Sequence, residues 1–256
     1  MITLESIVKG KEAAPLVVVV NGAEAVGKTR FACQADGVML LDFEKGAAEY
    51  DVQKIPLCGK SVTYSDAMES LRLIYANHKK LGIKTVVVDS IDWFEKLTHR
   101  HLCEKHGVAS IEEFKWGKGY IEAASLAQDF INGLDSLREL GMDIIIISHS
   151  AVVKVDEPNL DVYECYDLKL NRLVRNTIKE WATMVAYCCF ETRTSLKGEK
   201  FGKSVYRAIT TGERLMHTIP QSGFVAKSRI PIPSPLPLDW KILKEEISKS
   251  RKGESL

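Results

Sequence analysis

Short runs of consecutive apolar residues recur along the first 150 residues of the chain. Four of them, at residues 16–21, 38–42, 85–89 and 143–148, are rich in Val, Ile or Leu and do not alternate with polar residues. Continuous apolar runs of this length are typical of strands buried on both faces of a parallel sheet. The pattern therefore predicts four parallel strands in this part of the chain.

Helical patterns separate these strands. Apolar residues recur every three or four positions between residues 65 and 81, and Gly82 follows as a helix stop. Residues 90–106 and 120–140 also have helical character. Strands that alternate with helices predict an α/β fold, in which a mostly parallel central sheet is flanked by helices.

The pattern changes after residue 150. Residues 154–168 are polar and irregular and predict a long loop, whereas residues 170–181 predict a helix. Three strand-like runs follow at residues 184–190, 204–211 and 215–219, with predicted turns at residues 197–198 and 212–213. Such short connections favour a C-terminal antiparallel extension of the same sheet.

The last part of the chain is rich in proline. Pro231, Pro233, Pro235 and Pro237 predict an extended linker, and residues 239–250 predict a charged helix. The predicted organisation is a core over residues 1–230, followed by a Pro-rich linker and C-terminal helix over residues 231–256.

The charges are nearly balanced, with 35 Lys and Arg against 34 Asp and Glu among 256 residues, for a net charge of +1. This balance excludes a uniformly basic protein that coats nucleic acid. Residues 151–256 nevertheless carry a net charge of +5. No apolar run approaches the ~18 residues of a membrane span, and the six cysteines have no metal-type spacing. We therefore expect a cytoplasmic protein without a membrane partner.

A phosphate-binding loop follows the first predicted strand. Residues 22–29 match G-x-x-x-x-G-K-T and precede a predicted helix, so their backbone N–H groups can face phosphate oxygens. In this pattern Lys28 reaches the β- and γ-phosphates of ATP, and the Thr29 hydroxyl binds Mg²⁺. The predicted nucleotide contacts are Gly22, Ala23, Glu24, Ala25, Val26, Gly27, Lys28, Thr29 and Arg30.

Two carboxylates lie at the ends of neighbouring predicted strands. Asp89 ends the third strand, where a carboxylate beside a phosphate loop can hold Mg²⁺ through water. Glu44 comes just after the second strand, where a carboxylate can polarise the water that attacks the γ-phosphate. On its position alone, Glu44 could equally be a solvated loop residue.

These segments resemble, in order and spacing, the RecA ATPase core between about residues 15 and 230. The beginning of the phosphate loop is similar to the RecA pattern G-P-E-S-S-G-K-T, residues 41–44 to the strand end that carries the RecA catalytic glutamate, and residues 88–90 to its Walker B segment. Residues 146–149 resemble the RecA sensor strand, although His149 stands where RecA has Gln. Lys227 and Arg229 resemble the paired basic residues that reach the neighbouring subunit's ATP in RecA and in DnaB-type helicases.

In its compact size and in the K-x-R segment before the prolines, the chain most resembles phage-encoded RecA-like ATPases of the Sak type. Those proteins act in single-strand annealing and recombination. The resemblance implies a RecA-like P-loop NTPase that hydrolyses ATP with Mg²⁺ and acts on single-stranded DNA in phage recombination, annealing or replication. It also implies a ring or filament of identical subunits with ATP at their interfaces, a cognate single-strand-binding protein, and the cytoplasm of a bacterial host. The catalytic residues it implies are Lys28, Glu44, His149, Lys227 and Arg229.

Two segments correspond to the DNA-binding loops of RecA, at residues 105–118 and 150–169. Basic residues near aromatic ones suit single strands, whose bases stack and whose phosphates need cations. The candidate DNA contacts are Lys115, Trp116, Lys118, Lys154 and Lys169. Core or interface packing is the alternative explanation for the aromatic residues, and five acidic residues in the second segment weaken its case.

Other interpretations of the sequence remain open. His99, Cys103 and His106 would share one helical face and could supply three zinc ligands, but a fourth ligand is missing and an ordinary polar helix explains them as well. The main alternative function is a nucleotide-dependent switch or assembly factor that binds a protein partner without DNA. A small-molecule kinase is a third, for which the sequence offers no arginine-rich lid.

Overall fold

The computed structural model describes residues 9, 13–158, 160–200 and 203–253, of which residues 194–200 and 203–208 are described by their backbone alone. The strands in this part of the chain are β1 Val17–Gly22, β2 Val38–Asp42, β3 Gln53–Pro56, β4 Thr85–Asp89, β5 Asp143–Val155, β6 Tyr163–Leu168, β7 Met184–Lys200, β8 Lys203–His217, β9 Lys227–Ser228 and β10 Leu236–Pro237. The α-helices are α1 Lys28–Cys33, α2 Tyr64–Leu81, α3 Ile91–His106, α4 Lys118–Glu139, α5 Arg172–Trp181 and α6 Trp240–Lys252.

The strands form one large sheet in the order β10-β8-β7-β1-β5-β4-β2-β3, with β6 paired to β5 and β9 to β7. The six adjacent strands from β7 to β3 in this order are parallel to one another. Strands β8, β9 and β10, from the C-terminal part of the chain, add antiparallel pairs. The predicted α/β fold is confirmed: a mostly parallel sheet is flanked by helices and carries a C-terminal antiparallel extension.

The central strands are buried on both faces because helices cover both sides of the sheet. On one side, Val17 and Val19 of β1 pack with residues of α2, α3, α4 and α5. On the other side, Val18 and Val20 pack with residues of α1 and α6. Continuous apolar strands are the expected result of this sandwich, since every position faces a helix layer.

Two predictions for the region after residue 150 are wrong. Residues 154–168 do not form one long loop, because β5 continues to Val155 and pairs as an antiparallel hairpin with β6 at residues 163–168. The strand-like runs after residue 184 form two long strands, without turns at residues 197–198 or 212–213. The register of β7 and β8 shifts near both places, and Gly212 has a φ of +86°. Gly198 and Gly212 lie at or near these irregularities of the hairpin, and a glycine within a strand resembles a turn in sequence.

The proline-rich segment and α6 pack against the sheet. Ile232 and Leu236 are buried in the same cluster as Val18 and Val20. The Trp240 ring meets Phe31 of α1 edge-on, with ring centroids 5.7 Å apart. The side chain of Asp239 caps the first turn of α6 and accepts a hydrogen bond from Gln34. The predicted linker residues therefore contribute to the core that supports α1.

Among the described residues, no helix is both long enough and apolar enough to cross a membrane.

Candidate nucleotide-binding site

The phosphate loop joins β1 to α1 and depends on two glycines. Gly27 lies just before α1 with a φ of +102°, a conformation that favours glycine. At Gly22, an added Cβ would lie 2.3 Å from the carbonyl oxygen of Cys188 on β7, so a side chain there would collide with the neighbouring strand. The loop can therefore form its tight turn at the C-terminal end of β1 only with glycine at positions 22 and 27.

The Lys28 side chain lies inside the loop. Its Nζ donates hydrogen bonds to the carbonyl oxygens of Gly22, at 2.8 Å, and of Ala23, at 2.7 Å. Burial lowers the pKa of Lys28, while the charges of nearby acidic groups, including Asp89 and Glu44, oppose this effect. The ammonium group is thus held where phosphate oxygens would arrive in a nucleotide complex.

Thr29 and Asp89 join the loop to β4. The Thr29 hydroxyl donates to Asp89 Oδ2 at 2.8 Å. Burial raises the pKa of Asp89 to about 6, although the hydrogen bond from Thr29 acts in the opposite direction. A hydroxyl and a carboxylate oxygen so close together fit Mg²⁺, which prefers oxygen ligands and keeps several of its waters.

Glu44 is held close to the phosphate loop by its own turn. Asp42 at the end of β2 accepts hydrogen bonds from the backbone N–H groups of Lys45, at 2.7 Å, and Gly46, at 3.2 Å. Ser90 donates its hydroxyl to Glu44 Oε1 at 3.3 Å. Because β2 and β4 pair with Asp42 opposite Asp89, the Glu44 carboxylate lies next to the candidate Mg²⁺ ligands.

His149 connects Glu44 to α3. Its Nδ1 lies 3.0 Å from Asp92 Oδ2 and 3.4 Å from Glu44 Oε1, and its backbone N–H donates to Asp92 Oδ1 at 3.1 Å. The hydrogen bond with Asp92 is the largest influence that raises the pKa of His149, and the charges of Asp92 and Glu44 add to it. A protonated His149 therefore pairs with two carboxylates at once, within a cluster that could also hold a cation once the imidazole is neutral.

These groups line one cavity of about 540 Å³, a size within the usual range for small-molecule sites. The predicted residues that line it are Glu24, Ala25, Gly27, Lys28, Thr29, Arg30, Glu44, Asp89, His149 and Lys169. Of the other predicted loop residues, Gly22 and Ala23 hold Lys28 through their carbonyl groups, and Val26 is buried in the core. The phosphate loop and the two strand-end carboxylates thus converge as the sequence pattern requires.

The structure also brings residues to this cavity that the sequence analysis did not single out. Arg214 of β8 lies so close to the phosphate loop that a Cβ added at Gly27 would be 3.4 Å from its Cδ, and its guanidinium has no ion pair among the described residues. Asp92 could have been found, since it lies in the first turn of the helix that directly follows the Asp89–Ser90 strand end. Arg214 had no such signal, because it reaches the loop only through the folding of the β7–β8 hairpin.

Lys227 and Arg229 lie elsewhere in the chain. Lys227 Nζ donates to the carbonyl oxygens of Lys179, at 2.6 Å, and Ala182, at 3.0 Å, at the C-terminal end of α5. Arg229 donates to the carbonyl oxygen of Glu180 at the same helix end. Neither residue lines the phosphate cavity of its own chain, and together they neutralise the negative end of the α5 dipole.

The candidate DNA-binding residues do not form one surface with the phosphate cavity. Lys115, Trp116 and Lys118 are exposed in the connection between α3 and α4, where the Trp116 side chain is 92% exposed. Lys154 is exposed on the β5–β6 hairpin, and of the five residues only Lys169 lines the cavity. Single-stranded DNA binding therefore remains a prediction for these residues.

The zinc interpretation gains no structural support. His106 bonds to Glu122 at 3.1 Å, whereas the His99 ring contacts Tyr120 and its Nε2 has no hydrogen-bond partner. Within the part of the chain that the structure describes, the group of side chains close enough to share a metal ion is Glu44, Asp92 and His149, and not the α3 residues.

The fold and this site define a P-loop nucleotide-binding domain. The family model described as AAA domain, AAA_24, matches residues 14–230, and the chain belongs to that family. The chain is also 28% identical over 139 residues to the SPbeta prophage-derived uncharacterized protein YorG of Bacillus subtilis strain 168. That match covers 53% of this chain and 41% of the relative, so it spans less than half of the relative's length.

Among solved structures, the chain is similar to the KaiC-like protein PH0186 from Pyrococcus horikoshii OT3. The sequence identity is 14% and the TM-score is 0.40, with 84% of this chain and 89% of the other covered.

The link between Asp92 and His149 predicts a measurable pKa change. Replacing Asp92 with Asn should lower the pKa of His149, which lies above its ordinary value of 6.5 in the folded protein. The raised pKa stabilises the fold at pH below 6.5, and this contribution is lost as the pH rises through the folded-state pKa. An NMR titration of the imidazole signals, with His149→Gln to assign the resonance, measures the change. An unaltered midpoint in Asp92→Asn would contradict the assigned contact.

Proposed function

We propose that this protein hydrolyses ATP and uses the energy to act on single-stranded DNA, in phage recombination, annealing or replication in the host cytoplasm. The observation that carries the hydrolytic part is the convergence of Lys28, the Thr29–Asp89 pair and Glu44 in one cavity. A phosphate anchor, a magnesium ligand set and a carboxylate for the attacking water are the parts that phosphoryl transfer to water requires.

Each part has a specific task in this proposal. Lys28 exchanges its loop carbonyls for the β- and γ-phosphate oxygens, and Thr29 and Asp89 are the groups that would hold Mg²⁺, which neutralises phosphate charge when bound. Glu44 orients a water molecule and polarises it towards the γ-phosphate. His149 holds Glu44 in place through the Nδ1 contact of 3.4 Å, and Asp92 fixes the imidazole.

Replacing Glu44 with Gln should separate ATP binding from hydrolysis. The amide keeps the size of the side chain but cannot accept a proton, so we expect ATP affinity to remain and the rate to fall by about 10²- to 10⁴-fold, as for loss of a general base. Lys28→Ala is the comparison, in which ATP binding itself is lost. Binding of a fluorescent ATP analogue and phosphate release measure the two steps; normal turnover by the Gln variant would exclude the role of Glu44.

The DNA part of the proposal is supported by several features of the chain. Its similarity to a prophage-derived protein suggests a phage origin. Trp116 is exposed between Lys115 and Lys118, a combination that suits base stacking and phosphate contact. Strand β5 carries His149 at the ATP cavity and continues into the hairpin that presents Lys154, so nucleotide and DNA sites would share one strand.

Single-stranded DNA should therefore stimulate ATP hydrolysis, and the effect should weaken with salt. Each phosphate contact releases counterions, so the logarithm of the DNA affinity falls linearly with the logarithm of salt concentration, by about 0.7 per contact for single strands. The measurement is the ATPase rate with and without an oligothymidylate across a series of sodium chloride concentrations. A rate that DNA never changes would favour the alternative, a nucleotide-dependent assembly factor that binds a protein partner.

We further propose that ATP lies between subunits of a ring or filament, where Lys227 and Arg229 contact the neighbouring subunit's nucleotide. Both residues are basic, and they reach the same end of α5 outside their own phosphate cavity. A cation supplied by a neighbour stabilises charge in phosphoryl transfer. A cognate single-strand-binding protein is a further proposed partner in the action on DNA.

Mixing experiments distinguish this role from simple capping of α5. If the cations act between subunits, a Lys227→Ala/Arg229→Ala variant should reduce the activity of wild-type protein in mixed assemblies by more than its fraction. Thermal unfolding of the variant alone serves as the control for the lost carbonyl contacts. A linear decrease in activity with the fraction of variant would contradict the role between subunits.

A further inference from the structure

A second cavity of about 440 Å³ lies beside the phosphate cavity. Glu44, Trp93 and Lys96 line both cavities, so the two are adjacent. The second cavity is distinguished by its basic side chains, which come from the turn after β2, from the segment between β3 and α2, and from α3. We define the cationic groove by the residues Lys45, Lys60, Trp93, Lys96 and Arg100.

The positive charges of the cationic groove have few partners within the chain. Among the described residues, Lys45, Lys60 and Lys96 form no ion pair, and Arg100 approaches Glu104 only at 3.9 Å. The carboxylate that lines the groove is Glu44, which already lies 3.4 Å from His149. Clustered cations that outnumber the carboxylates around them repel one another, and an anionic ligand reduces that repulsion.

The geometry of the groove is held by the backbone. Arg100 donates to the carbonyl oxygens of Gly59, at 3.4 Å, and of Val62, which ties α3 to the segment that carries Lys60. Lys45 has a φ of +66° and follows the turn fixed by Asp42. The turn that carries Lys45 and the segment that carries Lys60 form the two walls of the groove. Both are therefore held at the same end of the sheet as the phosphate loop.

Trp93 gives the groove an aromatic surface. Its side chain is 43% exposed, although it lies in the first turn of α3, next to the buried Asp92. The Nζ of Lys96 lies 4.0 Å from the centroid of the Trp93 ring and thereby orients it. An exposed indole beside several cations suits an unpaired nucleobase attached to a phosphodiester backbone.

We propose that the cationic groove binds single-stranded DNA, with phosphates near Lys45 and Lys60 and a base stacked on Trp93. This inference rests on the proposed DNA function, and it adds a contact for the strand beyond the segments at residues 105–118 and 150–169. Because Glu44 lines the groove as well as the phosphate cavity, a bound strand lies next to the carboxylate that polarises water. DNA binding and ATP hydrolysis are thereby coupled without a long path through the protein.

The test compares two variants that remove the same charge. Lys45→Gln/Lys60→Gln removes two groove cations, and Lys79→Gln/Lys80→Gln removes two exposed cations at the end of α2. Binding of a fluorescein-labelled oligothymidylate is followed by anisotropy over a series of salt concentrations. We expect the groove variant to reduce the slope of log affinity against log salt by about 1.4, since each phosphate contact contributes about 0.7. The α2 variant should keep the wild-type slope.

Trp93→Leu provides an independent measurement. We expect it to weaken oligothymidylate binding by about 5- to 150-fold, as for loss of one stacked base, with an unchanged salt slope. Tyr75→Leu, at an exposed aromatic residue on α2 outside the proposed DNA segments, is the control and should leave binding unchanged. Binding of a fluorescent ATP analogue to every variant shows separately whether the nucleotide site is intact.

The outcomes separate this inference from the function on which it rests. If the wild-type protein binds DNA and the groove variant behaves like the α2 variant, the groove assignment is overturned while the DNA function stands. If the wild-type protein hydrolyses ATP but binds no oligonucleotide, the DNA function fails and the groove assignment fails with it. If thymidine monophosphate displaces the oligonucleotide at equal phosphate concentration, the groove is a small-anion pocket and the proposal is overturned.

Discussion

The parallel pairing of β2, β4, β5 and β1 is the constraint on which the site depends. It places Asp42 opposite Asp89 and Gly22 opposite His149, so groups from distant parts of the sequence meet at one edge of the sheet. Side chains alternate between the two faces of a strand, and a shift of one residue would send each of them to the other face. Both faces are packed with helices, and the apolar core therefore holds the register that the polar site needs.

Much of the fold could be predicted because its strands are buried on both faces. The runs that end at Asn21, Asp42 and Asp89 are visible as apolar segments, and the phosphate loop is a local pattern with a known conformation. The β5–β6 and β7–β8 hairpins were harder to predict from the sequence. Strands with a solvated face contain many polar residues, and a glycine within a strand resembles a turn. The position of Arg214 was beyond prediction, because it depends on how a long hairpin packs over a loop nearly 190 residues earlier.

The charges around His149 explain why a histidine suits this position. Asp42, Glu44, Asp89 and Asp92 bring four carboxyl groups to one end of the sheet. Burial raises the pKa of Asp89, whereas the effect of burial on Asp92 is outweighed by its hydrogen bonds with His149 and by the charge of that imidazole, which lower its pKa. Asp42 is satisfied by backbone N–H groups, and Asp89 accepts the Thr29 hydroxyl. A glutamine at position 149 could offer hydrogen bonds to Asp92 and Glu44 but no charge, whereas histidine can supply a proton that both carboxylates share.

The hydrogen bonds between Lys28 and the carbonyl groups of Gly22 and Ala23 have a consequence for ligand selection. The loop holds the Lys28 ammonium group, which satisfies two carbonyl oxygens that would otherwise face the cavity. A ligand must replace both of these internal bonds before it gains anything from the lysine. A lone weak anion recovers little from such an exchange, whereas a chain of phosphates can bind the released ammonium group and the loop N–H groups together. Lys28 therefore disfavours the binding of ligands that cannot replace its hydrogen bonds to the loop.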